Sequence, residues 1–333
     1  MKKLGKIVLG LLVLLVAVLA VAWFALQKPD APYAELEKKY GGATSQYMGV
    51  PGGIRAHYRD QGNKDGPVLV MVHGFSASTD TWQPWVERLG FDYRIISLDL
   101  PGHGLTRAPE GYSPSIERFG DHVNTITERL GVGKFTLIGN SMGGNTAWAY
   151  ALKYPDKLDG LVLVDAGGWP PEGEREAPLV FKILGNPVGR ALVGRLDSTE
   201  MVRGGLRAAF EPTPDMVDDA MVARYVEMAR APGHRDIMFA MMSDRGRYAL
   251  ATPEKLAAIK TPTLIMQGDT DKLVPPGDAR KFADAIPGST LIMYEKTGHI
   301  PMEQIADKSA LDLKAWLETK VYAGKTAEPA AKP

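Results

Sequence analysis

Residues 135–144 constrain the fold more strongly than any other segment of the chain. They read FTLIGNSMGG, a short apolar run followed by Gly139, Ser141 and Gly143 at alternate positions and then by a helical pattern. Where a strand turns sharply into a helix, the two backbones come so close that the crowded positions of the turn tolerate little more than glycine. The turn also strains its central residue and lifts that side chain clear of its neighbours. The segment therefore predicts a strand, a tight turn that presents Ser141, and a helix.

The same segment indicates a chemistry. A five-residue G-x-S-x-G pattern arises by chance in roughly one chain in ten of this size, but here it lies between an apolar run and a helix, as the turn requires. A serine hydroxyl becomes an effective nucleophile when a neighbouring base takes its proton. The helix that starts at Met142 directs free N–H groups toward the turn, where they favour developing negative charge. We therefore predict that Ser141 is a nucleophile.

Short apolar runs alternate with helical patterns along most of the chain. The runs predict strands at residues 54–59, 68–72, 94–98, 135–138, 161–164, 263–266 and 291–294. Helical patterns lie at residues 115–130, 142–154, 278–285 and 306–320. In the first of them Ser113 is the expected N-cap and Pro114 lies in the first turn. The alternation predicts an α/β fold with a mostly parallel sheet flanked by helices.

Residues 167–251 interrupt this alternation. They are rich in Met, Arg, Ala and Pro and contain helical pieces without a convincing strand. We interpret them as a helical cap, inserted between two strands and lying over the carboxyl edge of the sheet. The remaining boundaries are a linker at 29–48, a core at 49–166 and 252–320, and a disordered tail at 321–333.

Residues 7–26 form a long apolar stretch without charge or proline. As a helix rising 1.5 Å per residue this stretch covers about 30 Å, the thickness of the hydrocarbon core of a bilayer. Lys2, Lys3 and Lys6 precede it and Trp23 lies near its far end. Because positive charge stays on the cytoplasmic side, residues 1–28 are predicted to be a membrane anchor with the rest of the chain on the periplasmic side of a bacterial inner membrane.

A cleaved signal peptide is the alternative interpretation of this stretch. Ala20, Val21 and Ala22 fit a small-x-small cleavage site. The apolar run exceeds the ~7–15 residues of the apolar h-region of an ordinary signal peptide and continues past that site, which favours the anchor. Cleavage would give a secreted or periplasmic protein, so both interpretations place the remainder outside the cytoplasm.

The composition excludes several classes of function. The chain has 39 Lys and Arg residues and 39 Asp and Glu residues, and a formal net charge of zero argues against a nucleic-acid partner. The absence of cysteine excludes a thiol nucleophile, a disulfide scaffold, and cysteine-ligated zinc or iron–sulfur centres. The sequence also lacks a metal-spaced H-E-x-x-H pattern.

The candidate base and acid follow late strands, where catalytic groups collect in open α/β sheets. His299 follows the predicted strand 291–294 and is the best base. The other five histidines lie in an early strand, a helix, the cap and two glycine-containing loops: His57, His122, His234, His73 and His103.

A carboxylate must hold the imidazole in the correct tautomer. Asp271 lies furthest into the loop after strand 263–266, Asp269 is closer to the strand end, and Asp165 ends strand 161–164, so three acids remain open.

An acyl-transfer site also needs N–H donors directed at the oxyanion. The amide of Met142, directly after the predicted nucleophile, is one expected donor. The amide of Phe75 is the other, because Gly74 permits a sharp turn after strand 68–72.

Taken together, these motifs resemble the α/β-hydrolase superfamily across about residues 49–317. His73-Gly-Phe75 resembles its oxyanion loop, 139–143 its nucleophile turn, 268–275 its acid loop and Gly298-His299 its histidine loop. The resemblance places Asp271 at the position of the acid and implies that no metal or organic cofactor is needed. With the Leu-Val-Asp-Ala-Gly run at 163–167, the sequence looks most like membrane-anchored bacterial lipases and esterases close to monoacylglycerol lipases.

The sequence also resembles hydrolases that cleave carbon–carbon bonds in ring-fission products, which share Gly-Asn-Ser-Met-Gly-Gly. Those enzymes commonly carry Trp after the catalytic histidine, whereas this chain has Ile300, and this departure favours ester hydrolysis. Haloalkane dehalogenases and epoxide hydrolases carry Asp at the turn, so Ser141 argues against both.

We therefore expect a membrane-anchored serine hydrolase of small-molecule acyl esters, with a lipid-derived substrate. Methionines of the cap would form an adaptable apolar wall for an acyl chain, or would simply pack the cap against the core. They are Met201, Met216, Met221, Met228, Met238, Met241 and Met242. A carbon–carbon hydrolase and a non-enzymatic binding protein on a hydrolase scaffold are the alternatives.

Overall fold

The computed structural model describes residues 2–170, 183–184 and 186–323. Eight strands form one sheet. They are β1 (Ser45–Val50), β2 (Ile54–Gly62), β3 (Val68–Val72), β4 (Arg94–Leu98), β5 (Phe135–Asn140), β6 (Leu158–Val164), β7 (Thr263–Gly268) and β8 (Thr290–Tyr294). Their order across the sheet is β1-β2-β4-β3-β5-β6-β7-β8. All pairs from β4 to β8 are parallel, and β2 is antiparallel to both of its neighbours.

Helices connect the strands and cover the sheet. The α-helices are α1 (Lys2–Ala25), α2 (Tyr33–Leu36), α3 (Gln83–Leu89), α4 (Ile116–Arg129), α5 (Met142–Lys153), α6 (Pro187–Val193), α7 (Thr199–Ala209), α8 (Asp219–Ala229), α9 (His234–Ser243), α10 (Pro253–Leu256), α11 (Pro276–Ala285), α12 (Pro301–Gln304) and α13 (Ala306–Trp316). Short 3₁₀-helices lie at Thr79–Trp82, Pro155–Lys157, Pro214–Met216 and Arg245–Arg247. π-Helical turns lie at Glu37–Gly41 and Leu317–Val321.

The sheet is buried on both faces. In β3, Val70 and Val72 pack into the apolar cluster that includes side chains of α4, α5 and α11. The alternate residues Leu69 and Met71 pack on the other face, with side chains of α3 and α13. Alternation across a strand therefore supplies two cores. This double burial explains why the parallel strands are continuous apolar runs, and it confirms the predicted mostly parallel sheet flanked by helices.

The linker expected at residues 29–48 is wrong at its carboxyl end. Residues 45–48 belong to β1, an edge strand that pairs antiparallel with β2 through the turn at Gly52 and Gly53, whose φ angles are +81° and +76°. Most side chains of β1 are only partly covered, so this strand lacks the apolar run that marks the inner strands. Helix α2 also lies within the expected linker.

Two further boundaries differ from expectation. Ser115, not Ser113, caps α4, because the Ser115 side chain accepts a hydrogen bond from the amide of Arg118. The tail does not begin at Val321: that side chain is buried against the sheet, and the Tyr322 hydroxyl lies 2.9 Å from the Thr136 hydroxyl of β5. Residues 324–333 of the expected tail lie outside the described part.

The predicted cap lies between β6 and β7. Its described residues contain α6, α7, α8 and α9, whereas residues 171–182 and 185 lie outside the described part. Helix α7 contacts the loop that contains His299 directly, because the amide of His299 donates to the carbonyl of Ala209 at 2.8 Å. The cap therefore adjoins the edge of the sheet where the candidate residues collect.

Helix α1 carries the apolar stretch. Its residues Leu4–Ala25 are long and apolar enough to cross a bilayer, and its apolar side chains are exposed. Directly after the helix, the chain is hydrogen-bonded to the cap: the amide of Lys28 donates to Arg195 at 2.7 Å, and that of Asp197 donates to Leu26 at 3.0 Å. The apolar helix therefore ends against the cap.

Replacing Gly143 with Ala should destabilise the protein strongly. A Cβ at this position would lie 2.1 Å from the carbonyl oxygen of Val72, so β3 and α5 would have to separate. We expect a loss of at least about 3 kcal/mol in the free energy of unfolding, measured by urea denaturation. Gly204→Ala is the control, since Gly204 lies exposed within α7 with open space around it, and should stabilise by about 0.5–1 kcal/mol. Equal midpoints for both variants would contradict the crowding argument.

Candidate active site

Ser141 lies at the turn between β5 and α5, as predicted. Its φ and ψ angles are +56° and −116°, a strained conformation for a residue with a side chain. The turn is tight enough that a Cβ on Gly139 would lie 2.1 Å from the carbonyl oxygen of Gly143. Its backbone is held on both sides, because Ser141 N donates to Val164 and Gly167 N donates to Ser141, each at 3.0 Å. The packing of the backbone thus maintains the strain.

The Ser141 side chain is partly exposed. Within the described residues its hydroxyl makes no hydrogen bond, to His299 or to any other group. Catalytic hydrogen bonds are often long without substrate and tighten in the complex. The hydroxyl is therefore accessible to a substrate from the solvent side of the turn.

His299 and Asp271 are in contact. His299 Nδ1 donates to Asp271 Oδ2 at 2.7 Å, and both residues are buried. Asn140, next to Ser141, donates from Nδ2 to the carbonyl of His299 at 3.0 Å and so ties the histidine loop to the turn. Since Nδ1 carries the proton, Nε2 has a free lone pair and can accept one.

Asp271 is stabilised as a carboxylate. Its Oδ1 accepts from the amides of Leu273 and Val274 at 2.7 and 3.0 Å, and its Oδ2 also accepts from Gln267 Nε2 at 3.2 Å. Burial by itself raises the pKa of Asp271, but the charge and hydrogen bond of His299 and the two amides outweigh burial and lower it below its usual range. Asp271 can therefore stabilise an imidazolium at neutral pH.

The two other candidate acids are placed differently. Asp269 is exposed at the end of β7. Asp165 is fully buried, and one oxygen of its carboxyl group, one of Asp271 and a ring nitrogen of His299 all lie within 4.8 Å of one another. In this cluster His299 Nδ1 and Asp271 Oδ2 are already occupied by their mutual hydrogen bond, which removes the lone pair that a metal ion would need at Nδ1. The arrangement is that of an acid–base pair with a second carboxyl group behind it.

The predicted oxyanion loop lies against the turn. A Cβ on Gly74 would lie 3.1 Å from Ser141 Cβ and 3.0 Å from Asn140 Oδ1, so a side chain here would force these neighbours to shift by a few tenths of an ångström. Phe75 is therefore adjacent in sequence to a residue in contact with Ser141. Met142, the source of the other predicted donor, is buried at the first position of α5. The structure thus brings Ser141, Phe75 and Met142 together.

A buried carboxylate that the sequence analysis did not single out holds this loop. Asp99 accepts from the amides of Thr79 and Leu105 at 2.7 and 2.8 Å, and from His57 Nδ1 at 2.6 Å. Burial by itself raises the pKa of Asp99, but the charge and hydrogen bond of His57 outweigh burial and hold this pKa well below its usual range. The position of Asp99 directly after the predicted strand 94–98 is the sequence signal that could have identified it.

His73 completes this support. Its Nδ1 donates to the carbonyl of Gly74 at 2.7 Å, and its Nε2 accepts from the amide of Leu100 at 3.1 Å. Burial lowers the pKa of His73, in agreement with a neutral ring that donates at one nitrogen and accepts at the other. His73 and His57 are therefore loop-holding groups, while His103 packs its ring 5.8 Å from that of Phe75.

An apolar cavity of about 220 Å³ adjoins the loop. Phe75 and Ser76 line it on the side of the sheet, and residues of the cap line it on the other. Three of the seven cap methionines, Met201, Met238 and Met242, contribute to its wall. Met228 and Met241 of the cap are instead buried.

Comparisons with known proteins place this geometry in context. The family model described as "alpha/beta hydrolase fold" matches residues 67–304. Monoacylglycerol lipase abhd6-B of Xenopus laevis is 28% identical over 257 residues, which cover 75% of this chain and 74% of the frog protein. A 2-hydroxy-6-oxononadienedioate/2-hydroxy-6-oxononatrienedioate hydrolase of Escherichia coli is 26% identical over 283 residues, covering 80% of this chain and 92% of the relative.

A solved structure extends the likeness to almost the full chain. The crystal structure of a membrane phospholipase A, described as a novel bacterial virulence factor, matches with a TM-score of 0.68 and 26% identity. The match covers 96% of this chain and 98% of that protein.

Replacing Asp99 with Asn should destabilise the protein by about 3–5 kcal/mol at neutral pH, because it leaves a buried histidine and two amides without their carboxylate. The folded pKa of Asp99 lies below the unfolded value of about 3.9, so its contribution is complete above that pH and is lost as the pH falls. The stability difference between the wild type and D99N should therefore shrink below about pH 4. Urea denaturation from pH 3 to 7 measures this stability difference, and the exposed Asp65→Asn is the control. A stability difference that is independent of pH would contradict the lowered pKa of Asp99.

Proposed function

This chain belongs to the α/β-hydrolase family, and we propose that it hydrolyses carboxylic esters of lipid-derived acyl groups through Ser141, His299 and Asp271. The observation that carries the proposal is the 2.7 Å hydrogen bond from His299 to Asp271 beside the strained turn that exposes Ser141. Asn140 supports this arrangement by tying the His299 loop to the turn, and His73 supports it by holding the loop at Gly74.

The mechanism follows from these positions. His299 Nε2 takes the Ser141 proton as Oγ attacks the ester carbonyl, and Asp271 stabilises the resulting imidazolium. The tetrahedral intermediate collapses when the imidazolium returns the proton to the leaving alcohol oxygen, which gives an acyl-enzyme. Water, deprotonated by His299, then attacks the acyl-enzyme and releases the carboxylic acid and Ser141.

The amides of Phe75 and Met142 are the proposed oxyanion donors. Met142 occupies the first position of α5, so its N–H lacks a partner within the helix. Phe75 directly follows Gly74, which closely approaches Ser141, and this neighbourhood supports the Phe75 amide as the second donor. Two such donors stabilise the intermediate more than the ground-state carbonyl.

The surroundings favour a lipid-derived substrate. The apolar cavity begins at Phe75 and continues between cap methionines, which suits an acyl chain. The apolar helix α1 ends on the same cap, so a bilayer anchor would keep the cavity close to lipids. Two relatives carry the names monoacylglycerol lipase and membrane phospholipase A, in agreement with this substrate class.

A carbon–carbon hydrolase is the second candidate, because the E. coli relative with that substrate name covers 80% of this chain. Against it stands the resemblance argument from Ile300, which is buried directly after the candidate base. Assays of p-nitrophenyl acyl esters from acetyl to palmitoyl, of monoglycerides and of a vinylogous diketone acid should show ester turnover that peaks at a long acyl chain. Preferred cleavage of the diketone acid would establish the second candidate instead.

Replacing Ser141 with Ala should lower kcat for the preferred ester by about 10⁶-fold, because the acyl-enzyme cannot form. A fluorophosphonate probe should label the wild type at Ser141 and leave S141A unlabelled. Ser76→Ala, which changes another serine beside the cavity, is the matched control and should keep its labelling. An unlabelled wild type would favour a non-enzymatic binding role, and an active S141A would refute the mechanism.

The full chain should remain in the membrane fraction of bacterial cells after a carbonate wash, because α1 supplies a bilayer-spanning length of apolar residues. Deleting residues 1–26 should release the protein to the soluble fraction with its esterase activity intact. Added protease should degrade the catalytic part in spheroplasts if that part is periplasmic. If the mass of the mature protein corresponds to a chain that begins after Ala22, the segment is a signal peptide.

A further inference from the structure

Asp165 is a buried acid for which the mechanism above has no use. It follows β6 and has a φ angle of +45°, which is unusual for a residue with a side chain. Its side chain is fully buried, and its backbone amide donates to Met266 at 2.8 Å. A strained conformation persists only where the surroundings hold it. A buried charge also needs hydrogen-bond partners, so the hydrogen bonds of Asp165 indicate its charge state.

The hydrogen-bond donors are divided unequally between Asp165 and Asp271. Asp271 accepts four hydrogen bonds, from His299, Gln267, Leu273 and Val274. Asp165 accepts one, from the amide of Gly268 to Oδ1 at 2.9 Å, and Oδ2 has no donor among the described residues. With a single donor, Asp165 is poorly solvated as an anion, whereas Asp271, with four donors, is well solvated.

The charges lead to the same distribution. The carboxyl oxygens of the two acids and a ring nitrogen of His299 lie within 4.8 Å of one another, so two carboxylates would share one imidazole. When two carboxyl groups share a buried site, one of them keeps its proton. Tyr294 also interacts with Asp165; burial first, followed by nearby acids, raises the pKa of Tyr294, so its hydroxyl stays neutral. Burial, and next the charge of Asp271, raise the pKa of Asp165 well above its usual range.

We propose that Asp165 is a protonated carboxylic acid that donates a hydrogen bond from Oδ2 to the Asp271 carboxylate and so positions Asp271 for His299. The proton comes from water during folding, and no covalent bond changes. This inference rests on the proposed function, and it makes Asp165 a positioning residue, because it acts through Asp271 and does not touch the reacting atoms.

The donated hydrogen bond has a kinetic consequence. It disperses negative charge from Asp271, so Asp271 stabilises the imidazolium less than an isolated carboxylate would. Removing the donor should therefore make the base protonate at a higher pH. The acidic limb of the kcat/KM profile reports protonation of the free enzyme and shows this shift.

The test compares Asp165→Asn and Asp165→Ala in the full-length chain with the preferred ester across pH 4–9. Asn keeps an acceptor for Gly268 and a donor for Asp271, so the acidic limb of D165N should coincide with that of the wild type. In D165A the limb should move up by about 0.5–1 pH unit. Asp269→Asn, an exposed acid on the adjoining loop, is the matched control and should not shift the limb.

Two outcomes would overturn the proposal. If Asp165 is ionised, D165N removes a negative charge near His299 and its acidic limb moves down by about one pH unit. If Asp165 is the catalytic acid itself, D165N loses activity as severely as Asp271→Asn. Because D165A leaves a cavity, the proposal depends on the isosteric D165N, whose fold is checked by circular dichroism.

An infrared measurement separates this proposal from the proposed function. The wild type minus D165N difference spectrum at neutral pH should contain the carbonyl stretch of one protonated carboxylic acid. D269N subtracted in the same way should give a carboxylate band instead. A carboxylate band in the D165N difference overturns the proposal even if the protein hydrolyses esters. A carboxylic acid band supports it even if the ester assays and fluorophosphonate labelling fail.

Discussion

The close approach of β5, α5 and β3 is the constraint on which the site depends. Gly139 and Gly143 remove the two side chains that would prevent this approach, since each Cβ would lie 2.1 Å from a carbonyl oxygen. The contact forces Ser141 into a strained conformation, partly exposed at the carboxyl edge of a sheet that is otherwise buried on both faces. Hydrogen bonds from neighbouring loops maintain this strain, so core packing and site geometry have a single cause.

Two buried acid–histidine pairs stabilise the loops around that turn in different ways. The Asp99–His57 pair lies in the core, where Asp99 accepts hydrogen bonds from the amides of Thr79 and Leu105 and so joins two loops. The Asp271–His299 pair lies at the turn and leaves one ring nitrogen free to accept a proton. The same chemistry therefore serves loop geometry in one place and the proposed acid–base function in the other, and access to the Ser141 turn distinguishes the two.

The cap adjoins both the apolar cavity and the end of α1. The cavity that begins at Phe75 has cap methionines in its wall, and the chain that follows α1 pairs with residues 195–197 of the cap. An acyl chain in that cavity would therefore lie beside the cap against which α1 ends. This proximity links the proposed substrate class to the proposed anchor.

The sequence by itself determined the inner strands, the serine turn and the late histidine, because runs of apolar residues and the Gly-x-Ser-x-Gly spacing are local properties of the chain. Only the tertiary structure shows that Asp271, and not Asp165 or Asp269, forms the hydrogen bond with His299, since this bond joins residues 28 positions apart. It also decided that residues 45–50 form a strand, because an edge strand is recognised by its partner and not by its own hydrophobicity. Contacts between distant segments fix these features, and such contacts leave no periodic pattern in the sequence.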